Sequence, residues 1–292
     1  MSEEDLSIEA LAHLGALRFQ VQRLVEAAVD GLHDARGLGG AGEFIEHRHY
    51  RLGDPPRRID WRATARRDAV MVQELRPEKR LEVAVLVDTS GSMASGEPTS
   101  KLRYAWWLGL GAAYIAQRTG DGAGLHLLAG DGRWRRRLRA GLAELAAWTE
   151  ELENIEASGQ TDLSGAIGEI GNSMGSKGLL IVISDLLEAD DQFWRGLGEL
   201  RQRGWHCAVV RLLAAEEVDF NFEGGVRFEP IERGEALTVD AQAIRSAYLE
   251  ELARFDDECR TRAAEAGAHL LLARNDDSPV AILRQLTREQ LR

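Results

Sequence analysis

Five residues at three separate places have side chains suited to holding a hard divalent cation. Asp88-Thr89-Ser90-Gly91-Ser92 follows the apolar run Leu81 to Val87. Its D-x-S-x-S spacing sets one carboxylate and two hydroxyls on one side of a turn, for which Gly91 supplies a permissive backbone. Thr161, in Gly159-Gln160-Thr161-Asp162, lies in a loop that opens a helix, and Asp185, in Ile183-Ser184-Asp185, follows a second apolar run. Oxygen donors of this kind suit Mg²⁺, with Mn²⁺ possible, and not zinc.

The elements around these residues predict how they meet. Leu81 to Val87, Ala123 to Ala129, Leu179 to Ser184, Cys207 to Leu213 and Ala268 to Ala273 are short apolar runs, as expected of strands buried on both faces. Trp134 to Leu138 is expected to pair with the second of them. Between the strands, Lys101 to Arg118, Leu142 to Leu152, Leu163 to Met174, Phe193 to Arg203, Ala241 to Ala266 and Pro279 to Leu291 carry helical spacing. This alternation predicts an α/β fold, a doubly wound and mostly parallel sheet, in which ligands sit beyond the carboxyl ends of the strands. All three loops then meet at one rim. Residues 1–80 differ: Ile8 to Leu32 reads as one amphipathic helix, followed by glycines at 37–42 and an Arg-dense stretch with few apolar residues. The expected organisation is an N-terminal extension over 1–80, packed on a main domain over 81–292.

The set Asp88, Ser90, Ser92, Thr161 and Asp185 resembles the metal-ion-dependent adhesion site of von Willebrand factor A-type domains, over about residues 81–292. That resemblance implies Ser and Thr hydroxyls on Mg²⁺, aspartates acting directly or through water, and an open position for a partner's carboxylate. Ahead of it, Gly42-Glu43-Phe44 and His47-Arg48-His49-Tyr50-Arg51-Leu52-Gly53-Asp54-Pro55-Pro56-Arg57-Arg58-Ile59-Asp60-Trp61 is similar to the G-E-F … R-x-Y-x-x-G-D-x-x-R-x-I-D-W pattern of a bacterial family, domain of unknown function 58. His49 stands where that family more usually has Glu. The resemblance implies a non-enzymatic partner of a MoxR-type AAA+ ATPase that captures a Glu or Asp of the partner. Arg57, Arg58, Asp60 and Trp61 are expected to form structural ion pairs that lock the extension onto the domain; the alternative is docking, for which Arg48, Tyr50, Asp54, Arg58, Asp60 and Trp61 are the candidates.

Composition narrows the classes. Formal charge is 36 − 48 = −12 and hydrophobic residues make up 44%, so neither a basic nucleic-acid binder nor a disordered chain is expected. The acidic N-terminus lacks secretory features and no apolar run is long enough to span a bilayer, so a cytoplasmic protein without a membrane span is expected. The two cysteines, Cys207 and Cys259, read as reduced. His47 and His49 lack a third ligand at metal spacing. Trp106-Trp107 reads as core, Arg133 to Arg139 as a charged edge strand, and the acids Glu216, Glu217, Asp219 and Glu223 as a solvated loop. With no P-loop, the alternative function is a Mg²⁺-dependent hydrolase of phosphate esters using a metal-bound water.

Overall fold

The computed structural model describes residues 20–21, 23–25, 28, 43–51, 54, 59–67, 69–76, 82–118, 121–129, 132–138, 142–173, 177–222, 224–228 and 237–289. They fall into two units, one formed by 1–32 with 81–292 and the other by 33–80.

In the large unit, six strands lie in the order β10-β7-β6-β3-β4-β5. They are β3 (Glu82–Asp88), β4 (Gly122–Ala129), β5 (Gly132–Leu138), β6 (Gly178–Ser184), β7 (His206–Leu213) and β10 (His269–Arg274). Every pair in this sheet is parallel except β4 with the edge strand β5, and β8 (Gly225–Phe228) and β9 (Leu237–Asp240) form a separate antiparallel pair. Because side chains alternate across a strand, an all-apolar strand fills two cores at once. Val83, Val85 and Val87 of β3 and Leu179, Ile181 and Ile183 of β6 enter one cluster; Ala84, Leu86, Leu180 and Val182 enter the other. Each such fully buried Val, Leu or Ile contributes roughly 1.5–3 kcal/mol.

Helices cover both clusters. On the first side lie α2 (Lys101–Arg118), Trp148 and Leu152 of α3 (Leu142–Leu152) and α8 (Pro279–Glu289). On the second lie α4 (Leu163–Ser173), α5 (Asp191–Gln202) and, through Cys259 and Ala263, α7 (Ala241–Glu265). Trp106 and Trp107 are core, as their spacing predicts, and both cysteines are free and buried.

The division of the chain departs from 1–80 and 81–292. Val21, Leu24, Val25 and Ala28 are fully buried in the first cluster of the large unit. Gln20 Oε1 accepts hydrogen bonds from Trp107 Nε1 at 2.8 Å and Arg103 Nη2 at 3.0 Å. An amphipathic stripe reports that a helix buries a face but not what it meets, and here it meets α2. The second unit has the antiparallel pair β1 (Glu43–His49) and β2 (Met71–Arg76), a short helix α1 (Trp61–Thr64) and a bridge from Ile59 to Val72. The glycines at 37–42 and the side chains of the Arg133 to Arg139 run lie outside the described residues.

Gly178 opens β6 opposite Glu82 of β3. A Cβ there would press on the Glu82 carbonyl oxygen and come within 2.7 Å of the Trp205 ring. Gly168, exposed on α4, has open space around it. Gly178→Ala is therefore expected to lower stability by about 1–3 kcal/mol, and Gly168→Ala to raise it by about 0.5–1 kcal/mol. Urea denaturation of the two variants checks both signs.

Candidate functional site

β3 and β6 are neighbours in register, Val87 opposite Ile183, so their carboxyl ends deliver Asp88 and Ser184 side by side. After β3 the chain turns through Ser90 into the 3-10 segment Gly91–Ala94. The loop ahead of α4 is tied to this turn by Gly91 N to Gly159 O, 2.9 Å, and Ser158 N to Thr89 O, 3.0 Å. Those two bonds bring Thr161 to the same rim.

Asp88 is the centre of the arrangement and is 1% exposed. Its Oδ1 accepts from Ser90 N at 2.9 Å and Thr161 Oγ1 at 3.1 Å, and its Oδ2 from Ser184 Oγ at 2.6 Å. Ser90 Oγ lies 3.0 Å from Ser92 Oγ. Burial pushes the Asp88 carboxyl above its ordinary value, against the pull of the Ser184 and Ser90 hydrogen bonds, and the charge of Asp185 pushes the same way. The Thr161 hydroxyl is also 3.0 Å from Glu188 Oε2, which accepts the Thr161 N–H as well. Having one proton, that hydroxyl serves one carboxylate at a time.

Asp185, 2% exposed, opens a strained turn. Leu186 has φ 64°, in the left-handed region that side chains disfavour by roughly 1–2 kcal/mol. Two bonds hold it there: Leu186 N donates to Ser184 Oγ at 2.9 Å, and Leu187 N to Asp185 Oδ1 at 3.2 Å. Strain held by surrounding bonds is typical of sites that must keep a fixed shape. The other oxygen, Asp185 Oδ2, accepts from Lys101 Nζ at 2.9 Å. Lys101 is fully buried at the start of α2, and its ammonium also meets Glu217 Oε1 at 2.8 Å. Burial by itself would lower the Lys101 pKa, but the charges of Asp185 and Glu217 outweigh it and leave the ammonium above its ordinary value.

The structure thus brings Asp88, Ser90, Ser92 and Thr161 into one hydrogen-bonded cluster, with Asp185 beside it and engaged by Lys101. The side-chain atoms these five residues offer an ion are all oxygens, and the partners of Asp88 among the described residues are all neutral. A buried carboxylate ringed by hydroxyls fits a hard divalent cation, which would supply the missing positive charge. Four participants escaped sequence reasoning: Ser184, Lys101, Glu188 and Glu217. Ser184 adjoins Asp185 and so carried a local signal, whereas Lys101 opens a helix that also holds Arg103 and Arg118 and did not stand out among them. Glu217 corrects the reading of 216–223 as a solvated loop: residues 215–219 form the short helix α6 (Ala215–Asp219), where Glu217 Oε2 accepts Ala214 N at 2.8 Å while Oε1 meets Lys101.

The docking candidates separate. Arg48 grips Asp54 with two bonds of 2.7 Å, and Arg51 N donates to Asp54 Oδ2 at 2.8 Å. Asp60 Oδ1 caps α1 through Arg62 N and Ala63 N, while its Oδ2 meets His47 Nε2 at 2.9 Å. Tyr50, half-buried, donates its N–H to Val70 O at 2.8 Å. Trp61 is 68% exposed, and Arg57 and Arg58 lie outside the described residues.

The model of the family described as "Protein of unknown function DUF58" matches residues 46–258. The uncharacterized protein Rv1480 of Mycobacterium tuberculosis (strain ATCC 25618 / H37Rv) is 25% identical over 272 residues, covering 91% of this chain and 84% of the relative. Among solved structures, the SpRpn10 VWA domain aligns with TM-score 0.41 at 10% identity, over 70% of this chain and 94% of that one. An aerotolerance-related membrane protein from Bacteroides fragilis NCTC 9343 aligns with TM-score 0.46 at 17% identity, over 72% and 98%. The solved structures similar to this chain thus include von Willebrand factor A domains and a protein named for the membrane. That second name overturns the expectation of a cytoplasmic protein, although among the described residues no helix is long and apolar enough to cross a membrane.

Two outcomes follow from the hydrogen bonds alone. Ser184→Ala leaves Asp88 Oδ2 and Leu186 N without a buried partner and is expected to cost about 1–3 kcal/mol in a urea titration. Asp54 is held down to about 2 by the Arg48 hydrogen bonds first and the Arg51 N–H second, against an ordinary 3.8. Its folded value is depressed, so its contribution to stability is present above about pH 4 and fades as pH falls towards 2. An NMR titration of its carboxyl carbon should give a midpoint near 2, returning towards 3.8 in Arg48→Met.

Proposed function

This chain belongs to the family described as protein of unknown function DUF58, and from that premise we propose that it is a non-enzymatic, Mg²⁺-dependent protein-binding module. Asp88, Ser90, Ser92, Thr161 and Asp185 would hold the ion, with Mn²⁺ an acceptable substitute. The observation that carries this reading is the buried Asp88 carboxylate, matched among the described residues only by neutral donors and set at the carboxyl-end rim of a parallel sheet. A divalent cation there supplies a Lewis-acidic position that a carboxylate from another chain can complete.

The chain's own residues do the rest. Ser184 and Ser90 fix the Asp88 carboxylate, and the Gly159–Gly91 bond sets Thr161 against it. Leu186, held in its left-handed turn, directs Asp185 inward, while Leu187 beside it is 63% exposed and free to be covered by a bound protein. Ser90 Oγ pairs with Ser92 Oγ rather than with a basic side chain, so neither hydroxyl is arranged as an activated nucleophile. This favours binding over catalysis. The partner proposed is an acidic face of a MoxR-type AAA+ ATPase, with exposed Trp61 in the second unit a candidate anchor.

Mg²⁺ at 100 times its dissociation constant is expected to stabilise the wild-type protein by about 2.7 kcal/mol. Asp88→Ala should abolish both that stabilisation and Mg²⁺-dependent retention of the ATPase on the immobilised chain. Equal melting temperatures with Mg²⁺ and with EDTA in the wild-type protein would overturn the metal reading. ATPase retention that ignores EDTA would overturn the role of the metal in binding.

A further inference from the structure

The chain has 36 Lys and Arg, of which only Lys79, Lys101 and Lys177 are Lys, leaving 33 Arg. One of these three lysines is fully buried against a candidate metal ligand. Lys101 Nζ lies 2.9 Å from Asp185 Oδ2 and 2.8 Å from Glu217 Oε1. Burying an ammonium costs several kcal/mol, recovered only where charge partners and hydrogen bonds are well placed. Here the partners are well placed, and the compact ammonium on its flexible stem meets both carboxylates at hydrogen-bond distance.

The surroundings fix Lys101 from both ends. Its backbone N–H donates to Ser95 O at 2.8 Å, and Ser95 Oγ lies 3.0 Å from Ser92 O and 3.3 Å from Glu217 Oε1. Lys101, Ser95 and Glu217 therefore form a closed polar set behind Ser92 and Asp185. Within it, Asp185 is already neutralised by a resident cation, whereas Asp88 is not. The two carboxylates at the rim are electrostatically unlike.

We propose that Lys101 is the site's built-in counter-cation: it holds Asp185 satisfied and in place when no divalent ion is bound, and thereby lowers the affinity of the site for that ion. Lys101 is a positioning residue, and Glu217 sets how much of its charge reaches the rim. The proposal rests on the metal reading above and goes beyond it. It makes the rim preformed without metal, and it makes metal occupancy weak enough to depend on a partner's carboxylate completing the coordination.

The test is calorimetric titration of MnCl₂ into the full chain, for wild type, Lys101→Met, Glu217→Gln and Asp88→Ala, with urea denaturation of each in EDTA. Lys101→Met removes a positive charge in contact with a ligand carboxylate and is expected to bind Mn²⁺ about tenfold or more tighter. The same variant should have a lower urea midpoint in EDTA, recovered when Mn²⁺ is added. Glu217→Gln leaves the ammonium less compensated, and Mn²⁺ binding should weaken several-fold. An ion pair with a purely structural role would not move the two affinities in opposite directions. Unchanged or weaker binding in folded Lys101→Met overturns the proposal. If that variant does not fold, unchanged or tighter binding in Glu217→Gln overturns it instead. No Mn²⁺ binding by wild type or any variant overturns the metal reading itself, a different result from wild-type binding that Lys101 does not affect.

Discussion

A carboxylate cannot stay charged inside an apolar core unless hydrogen bonds or a cation replace the water it has lost. Asp88 ends a strand whose other residues are nearly all buried hydrophobics, so it meets that constraint directly. Its three hydrogen-bond partners among the described residues come from three places: Ser90 from its own turn, Ser184 from the neighbouring strand and Thr161 from a distant loop. Satisfying one buried group thus fixes the relative positions of three segments that otherwise share no sequence neighbourhood. The strand pairing sets Ser184, the Gly159–Gly91 bond sets Thr161, and the remaining bond is local.

The same constraint, applied to Lys101, organises the next layer. An ammonium buried without partners would be neutral or absent. Asp185 and Glu217 keep it charged, and Glu217 in turn caps the start of α6 through Ala214 N. Asn275, fully buried, extends the lock by accepting from Ala215 N at 2.8 Å and donating to Thr99 O, joining α6 to the turn after β10 and to the segment ahead of α2. Networks of this kind are stiff because every member is satisfied and loosening one exposes the rest. The rim is therefore held from behind by polar bonds and from below by two apolar clusters.

How much of this could be read from the chain depended on whether the signal was local. Strands buried on both faces announce themselves by unbroken apolar runs, and the run ending at Val87 and that ending at Ile183 gave the positions of Asp88 and Asp185 directly. Helices such as Lys101–Arg118 and Leu142–Leu152 follow from their spacing to the residue. Glu217 was opaque because it looks like any acid in an acidic run, and the residue that gives it meaning is 116 positions away. The N-terminal stripe Val21, Leu24, Val25, Ala28 showed burial but not its partner, which is why the boundary of the large unit came out differently. Arg48, Asp54 and Asp60 had the residue types of a docking surface; only distances distinguish that from the internal ion pairs they form.

Charge explains why an ion and a carboxylate partner belong together in the proposed function. The described network at the rim holds Asp88, Asp185, Glu188 and Glu217 against one ammonium, in a chain whose formal charge is −12. An acidic side chain approaching this rim meets repulsion, and it cannot use Lys101, whose ammonium is fully buried and already shared by two carboxylates. A cation with coordination to spare reverses the sign of that encounter. On this reading, specificity for an acidic partner and dependence on the ion are a single property: the rim repels carboxylates until the ion is present and the ion binds weakly until a carboxylate completes it. Linkage then requires each to raise the other's affinity by the same factor.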